Sequence, residues 1–461
     1  MPYIGEYRTE IGKSVGLAIQ SLAALLDMSW KLPISAYQRH HKPIRTRLAE
    51  GLTAAAERHV FSSIFRVLCF DNNDRRTRAT TLGTSMKLNL LALAALTLAG
   101  THAAAATPGD TCVQDLRAIA PFLLENDTGA RQHLEQKGQA YFDLALATAT
   151  TAAAGAADGQ ACDAVLENYA RMWRKGHLHV KPGSALDIAK PAPARPAAPG
   201  QAATSKEPVL RILSDSTVLL TLPSFHGSYR AAVAALLDMH RAALAARPNW
   251  ILDVRRNGGG SDSTYAPLLS WISSGEIVRM GAEWLSTPAN IEGQENVCAL
   301  LAPGDQACAA FAAQAVTQMR SVKPGQYAPQ HGSGTISYMR ADTPEPRRPA
   351  RVAVLVDRDC ASSCEEFLLA ARQSFHVKLI GRNSYGALDY SNLRLHALPS
   401  GQRHLQYATS RSARLPQLQV DLGGIMPDIY LPPPKDEVER AQEVLRVQRW
   451  LEGGTLRPDN I

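Results

Sequence analysis

The apolar positions of this chain change period partway along it. From Thr107 to about Val180 they recur every three to four residues in alanine-rich sequence, which predicts helices over Val113–Leu124, Ala130–Thr150 and Cys162–Lys175. After Pro208 short β-branched runs alternate with helical segments. Val209–Leu213, Val218–Leu222, Ile251–Val254, Val352–Val356, Val377–Ile380 and Arg403–Ser410 are predicted as strands, and Ala231–Ala246, Ser263–Ser274, the segment from Ser362 and Asp436–Leu451 as helices. Apolar strands separated by helices call for cover on both faces. The predicted class is therefore α/β, with a small N-terminal helical domain at 107–180 and the β and α elements of the core at 209–435.

Two stretches break the pattern. Residues 181–208 carry prolines at 182, 191, 193, 196, 199 and 208 among Ala, Gly and Ser, which reads as a linker. Residues 276–349 show no sustained period, and are expected to form an insertion that either lines a groove as a lid or elaborates the surface. Residues 436–461 close the chain as a helix and tail. Near the other end, Met86-Lys87 precedes an Ala/Leu run, Leu88–Gly100, and the small residues Ala103–Ala106. Residues 86–106 thus have the layout of a secretory signal peptide, the other reading being an uncleaved anchor; the run is short for a membrane span, and no stable span is expected after cleavage. A signal at that place makes residues 1–85 a doubtful leader or a start-site artefact, with an exported chain beginning near Thr107 in the periplasm or outside the cell.

The formal charge of the 461 residues is +7. Residues 1–85 hold twelve Lys/Arg against seven Asp/Glu and Lys87 adds one, so the remainder is near neutral and carries no nucleic-acid signal. With Cys69 set aside in the leader, six cysteines remain: Cys112, Cys162, Cys298, Cys308, Cys360 and Cys364. An even number in an exported chain suits three disulfides. Proximity suggests Cys112–Cys162, Cys298–Cys308 and Cys360–Cys364 among fifteen possible pairings. The C-x₃-C at 360–364 lacks a second ligand pair at metal spacing, so no metal site and no cofactor is expected.

The chemistry centres on Val352–Phe367. The strand Val352–Val356 ends in a tight turn, and Ser362 stands where a helix begins, so its hydroxyl and the first unpaired helix N–H groups face one cleft. A nucleophile needs that arrangement. Taken locally, Ser362-Ser363-Cys364-Glu365 also reads as a capping box. A second stretch, Trp250–Gly260, is a strand that runs into three glycines, where a backbone turn can form that side chains would block. Together, Asp253-Val254-Arg255-Arg256-Asn257-Gly258-Gly259-Gly260 and, about a hundred residues later, Ser362-Ser363-Cys364-Glu365 resemble the D-[LV]-R-x-N-x-G-G and S-x-x-E elements of peptidase family S41, the C-terminal-processing and tricorn-like serine proteases.

That resemblance implies a ClpP/crotonase-like α/β core, a peptide or protein substrate and hydrolysis at Ser362. Gly176-His177 matches the place of the general base in the tricorn-like branch, although Lys175 replaces the acidic residue usual before it. Where the processing branch has a lysine, about 25 residues after the serine, this chain has Ala387. Asp421, in Asp421-Leu422-Gly423-Gly424-Ile425-Met426-Pro427-Asp428, stands at the place of the acid that orients the base. The oxyanion would meet the backbone N–H groups of Ser363 and of a glycine among Gly258–Gly260, with Gly259 foremost. His226 is a rival base, and Lys378 is expected to face solvent. Two other functions fit parts of the pattern: a catalytically inactive peptide-binding module, and a crotonase-like acyl-transfer enzyme, against which an exported chain argues because acyl-CoA is intracellular.

Overall fold

The computed structural model describes residues 107–189, 207–330, 336–339, 349–421 and 423–453. The expected leader, signal segment, Cys69, Leu422, the tail from residue 454, residues 190–206 of the linker and parts of 331–348 lie outside the described residues.

Among the described residues four helices come first: α1 (Pro108–Asn126), α2 (Ala130–Lys137), α3 (Gln139–Ala154) and α4 (Gly159–Trp173). A capping box opens α1, with Thr107 Oγ1 accepting the Asp110 N–H (3.1 Å) and Asp110 accepting the Thr107 N–H (3.2 Å). The single helix expected over Ala130–Thr150 is broken, because Gly138 turns with φ 82° between α2 and α3. Leu116, Ile119 and Leu123 of α1 pack with Phe142, Leu166 and Trp173, and the same cluster takes in Leu398, Leu405 and Tyr407. The helices therefore close on a sheet rather than only on one another.

The next elements are β1 (His179–Pro182), α5 (Ala185–Ala189), β2 (Val209–Ile212), β3 (Thr217–Thr221), α6 (Arg230–Met239), α7 (Arg241–Ala246), β4 (Asn249–Asp253), α8 (Asp262–Ile272), β5 (Ile277–Met280), β6 (Ala282–Leu285), α9 (Pro288–Leu301), α10 (Gln306–Arg320), β7 (Tyr327–Pro329), β8 (Ile336–Met339) and β9 (Arg351–Val356). They are followed by α11 (Ser363–Ala371), β10 (Val377–Gly381), β11 (Tyr390–Ala397), β12 (Arg403–Ser412), β13 (Ile429–Tyr430) and α12 (Glu437–Leu451). The main sheet runs β13-β10-β9-β4-β3-β2, parallel except for β2. Side chains alternate along it. Val218, Leu220, Trp250, Leu252, Val352 and Val354 meet the helices α6, α8 and α11, while Leu219, Ile251, Ala353 and Leu355 meet Val444, Val447 and Leu451 of α12. Each such burial contributes about 1.5–3 kcal/mol before conformational entropy is counted. Burial on both faces is why these strands read as continuous apolar runs.

In the second, antiparallel sheet β12 pairs with β1, β6 and β11, and β6 pairs with β7. The stretch 276–349, which shows no sustained apolar period in sequence, contains α9 and α10. Thr287 caps the first, ahead of Pro288, and Asp305 caps the second. Among the described residues no helix is long and apolar enough to cross a membrane.

Candidate active site

The parallel pairing of β4 with β9 sets two turns side by side at their C-terminal ends, and Val254 N–H reaches the Leu355 carbonyl (3.0 Å). Asn257, fully buried, stitches the glycine turn in place. Its Nδ2 donates to the Leu222 carbonyl (2.8 Å), its Oδ1 accepts the Gly259 N–H (2.9 Å), and its carbonyl accepts the Ala361 N–H (3.2 Å). Gly259 (φ 88°) lies against the nucleophile turn: a Cβ there would stand 2.4 Å from the Ala361 carbonyl and 2.9 Å from Ser362 Cβ. Glycine is thus required on two counts, conformation and space.

Ser362 sits between β9 and α11 with φ 58° and ψ −123°, a conformation that costs a residue with a Cβ of order 1–3 kcal/mol and persists only when its surroundings impose it. Glu365 does the imposing. Its buried carboxylate accepts the N–H of Ser362 (3.0 Å) and Ala387 (2.9 Å) on Oε2, and the hydroxyl of Ser384 (2.5 Å) and N–H of Gly386 (2.7 Å) on Oε1. Burial pushes this carboxyl upward, against the pull of those four donors. Cys360 and Cys364, both fully buried, stand at disulfide distance on either side of Ser362; Cys112 with Cys162 and Cys298 with Cys308 do likewise. The N–H of Ser363 has no acceptor among the described residues. That of Gly259, expected to lead the oxyanion donors, is taken by Asn257, while the N–H of Gly258 has no acceptor among the described residues.

His177 arrives from the segment after α4. Gly176 presses on the 384–387 loop, where a Cβ would meet Ala387 Cβ at 2.7 Å. A longer side chain at 387 would collide with this segment, so alanine at 387 and the Gly-His pair belong together sterically. His177 Nδ1 lies 2.5 Å from the Tyr390 carbonyl. A carbonyl only accepts, so Nδ1 carries the proton and Nε2 is left with its lone pair available. Burial, with the Arg174 charge, holds the imidazole pKa down to about 4 despite that carbonyl.

The structure gives Asp421 different contacts from those of an acid that orients the base. Its Oδ1 accepts the N–H of Leu388 (2.6 Å) and Asp389 (2.8 Å), while Asp389 Oδ2 accepts the N–H of Val420 (2.8 Å) and Asp421 (2.9 Å). The two aspartates cross-clamp the loop that leads to Tyr390, and the acceptor on the imidazole is the Tyr390 carbonyl. Burial, reinforced by the Asp389 charge, raises the Asp421 carboxyl to about 7. The rival His226 is exposed, and its Nδ1 accepts the Ser228 N–H (3.3 Å) as a turn cap. Lys378 is exposed.

Sequence reasoning missed Glu365 as an anchor of the 384–387 loop, Asn257 as a stitch, and the carbonyl of Tyr390. The first two lie inside the recognised motifs. A backbone carbonyl leaves no trace in sequence.

Residues 216–431 match the family model of Peptidase family S41, which makes this core that of a serine-type peptidase. No curated protein matches the chain. Among solved structures, mature CPAF complexed with lactacystin is 11% identical over 75% of this chain and 99% of its own, with a TM-score of 0.49. A lipoprotein from Streptococcus agalactiae is 12% identical over 73% of this chain and 96% of its own (TM-score 0.41). The photosystem II D1 C-terminal processing protease is 15% identical over 58% and 52% (TM-score 0.31).

Proposed function

We propose that this S41 serine-type peptidase is an exported endopeptidase in which Ser362 is the nucleophile and His177 the general base. The observation that carries the reading is the left-handed, externally imposed backbone of Ser362 at the head of α11. His177 Nε2 removes the Ser362 Oγ proton as the hydroxyl attacks a peptide carbonyl. The oxyanion is met by the N–H of Ser363 and of Gly258. The proton then passes from His177 to the leaving amine, and water repeats the sequence on the acyl-enzyme. The small Ala387 against Gly176 supports the tricorn-like branch, with histidine rather than lysine as base.

Diisopropyl fluorophosphate should label the full chain at Ser362, with labelling abolished in Ser362→Ala and nearly so in His177→Ala. No labelling of a folded wild-type chain would favour the inactive binding module. Export is supported by the three cysteine pairs. N-terminal sequencing of protein from the native host should find a start near Thr107, and a mature chain beginning at Met1 or Pro2 would overturn this.

A further inference from the structure

Arg174 contacts neither Ser362 nor the oxyanion donors, yet the geometry points to it as the positioning residue for the base, an assignment that rests on reading His177 as that base. The guanidinium is buried and paired fork to fork with Asp127: Nη1 to Oδ1 at 2.6 Å, Nη2 to Oδ2 at 2.8 Å. Its remaining donors turn toward the histidine. Nε donates to the Gly176 carbonyl (2.9 Å) and Nη2 also to the His177 carbonyl (3.1 Å). Its plane lies over the Tyr390 ring, 4.7 Å from the centroid. One side chain therefore touches both residues that decide where the imidazole stands, since the Tyr390 carbonyl orients Nδ1.

Local strain explains the need for it. His177 has φ 56°, a left-handed backbone that a β-carbon disfavours, and the two Arg174 bonds hold the peptide carbonyls on either side of its Cα. Asp127 fixes the guanidinium in turn, because its carboxylate also accepts the N–H of Gly129 (2.9 Å) and of Ala408 in β12 (3.0 Å). The path runs from β12 through Asp127 and Arg174 to His177, and back to β11 at Tyr390. Lysine keeps the charge at this position but lacks the planar fork that serves a carboxylate and two carbonyls at once. The charged and titratable groups around the imidazole are Arg174 and His179 on its own segment and Tyr390 on β11, with Asp127 and Asp421 beyond Arg174.

The test is the second-order rate of inactivation by diisopropyl fluorophosphate in the full chain, read against pH, with folding checked by circular dichroism. Arg174→Lys should fold and react roughly 100-fold more slowly, the loss typical of a misplaced catalytic group, with its acid limb unmoved. Arg174→Gln should be as slow and have its acid limb displaced to higher pH, because the neighbouring positive charge that disfavours imidazolium is gone. Added guanidinium ion should restore at least about tenfold to Arg174→Ala, and methylammonium should not. Should the Arg174 variants fail to fold, Asp127→Asn decides the question, since it loosens the guanidinium while keeping its charge; it should slow labelling by about tenfold or more. An Arg174→Lys or Asp127→Asn rate within twofold of wild type, with His177→Ala dead, would overturn the assignment. A His177→Ala rate equal to wild type would instead sink the reading of the base, whatever Arg174 does.

Discussion

In the proposed mechanism His177 acts as a base only while Nε2 is unprotonated, so its environment would set the acid limit of the reaction. An ordinary histidine would place that limit at about 6 to 7. Burial first, then the Arg174 and His179 charges, bring this one to about 4 against the Tyr390 carbonyl. Labelling of Ser362 should therefore rise through about pH 4 and be level toward neutrality, and a limb at 6 to 7 would contradict the burial of the ring. The same shift bears on stability: between the folded value and the unfolded one near 6.5 the unfolded chain binds the extra proton, so the contribution is complete above the unfolded value and lost as pH falls toward 4. Asp421 has the opposite sign. Its folded value of about 7 stands above the unfolded range, so stability declines as pH rises from about 4 through 7. Asp421→Asn keeps an oxygen for the Leu388 and Asp389 N–H groups, and should gain about 1–2 kcal/mol over wild type at pH 8 and little at pH 4, read by urea unfolding. Its labelling rate should stay within about tenfold of wild type, whereas a loss near 10⁴-fold would mean that Asp421 itself fixes the imidazole tautomer. The legible residues were those whose type is constrained by chemistry or space, Ser362 and Gly259. The acceptor on His177 was not legible, because any residue could supply a carbonyl.

At the scale of elements, the strands of the main sheet were readable because both faces are apolar, and α11 because a strand-turn-helix signature brackets Ser362. The elements that escaped have polar or small inner faces. The α9 helix buries Asn290, Gln294 and Cys298 and β11 turns Arg394 inward, so neither carries an apolar stripe, while the stripe of α10, Ala312, Ala315, Val316 and Met319, is half alanine. Other boundaries were set by single residues, as at Gly138. Beside the core packing of Phe367 and Leu368, one carboxylate ties the head of α11 to the neighbouring loop. Glu365 joins the N–H of Ser362 to the 384–387 loop on which the His177 segment rests, with an acceptor for each of four donors. In Glu365→Gln an amide NH₂ would face two of those donors. The expected cost is about 2–4 kcal/mol in urea unfolding, with slower labelling of Ser362 in the fraction that stays folded. A variant within about 0.5 kcal/mol of wild type in both stability and labelling would show that the turn is held by other means.

Across the whole molecule, the closing helix α12 is tied by charge to both the glycine turn after β4 and the turn that carries Ser362. Arg255 bridges Asp253 (2.6 Å) and Glu443 (2.7 Å) and donates to the Arg440 carbonyl (2.9 Å), Arg382 pairs with the same Glu443, and Arg440 reaches Asp357 (2.9 Å) at the head of the nucleophile turn. Asp253, Arg255, Arg382 and Glu443 are all buried, and their two cations balance two anions. The partners lie 188 residues apart in the case of Arg255 and Glu443, which is why the arginine in the glycine motif was recognisable and its reason was not. Burial makes the balance matter more than the number of pairs, since an exposed pair is worth about 0–1 kcal/mol while breaking a buried one costs about 3–5. Glu443→Gln leaves one positive charge uncompensated between Arg255 and Arg382, and is expected to lower stability by about 3–5 kcal/mol. Glu437→Gln removes a half-exposed partner of Arg256 on the same helix and should change stability by less than about 1 kcal/mol. Urea unfolding of the two variants beside wild type makes the comparison internal to α12. If the two substitutions cost the same, the helix is held by Val444, Val447 and Leu451 against the sheet alone, and the link from α12 to the glycine turn carries no energy.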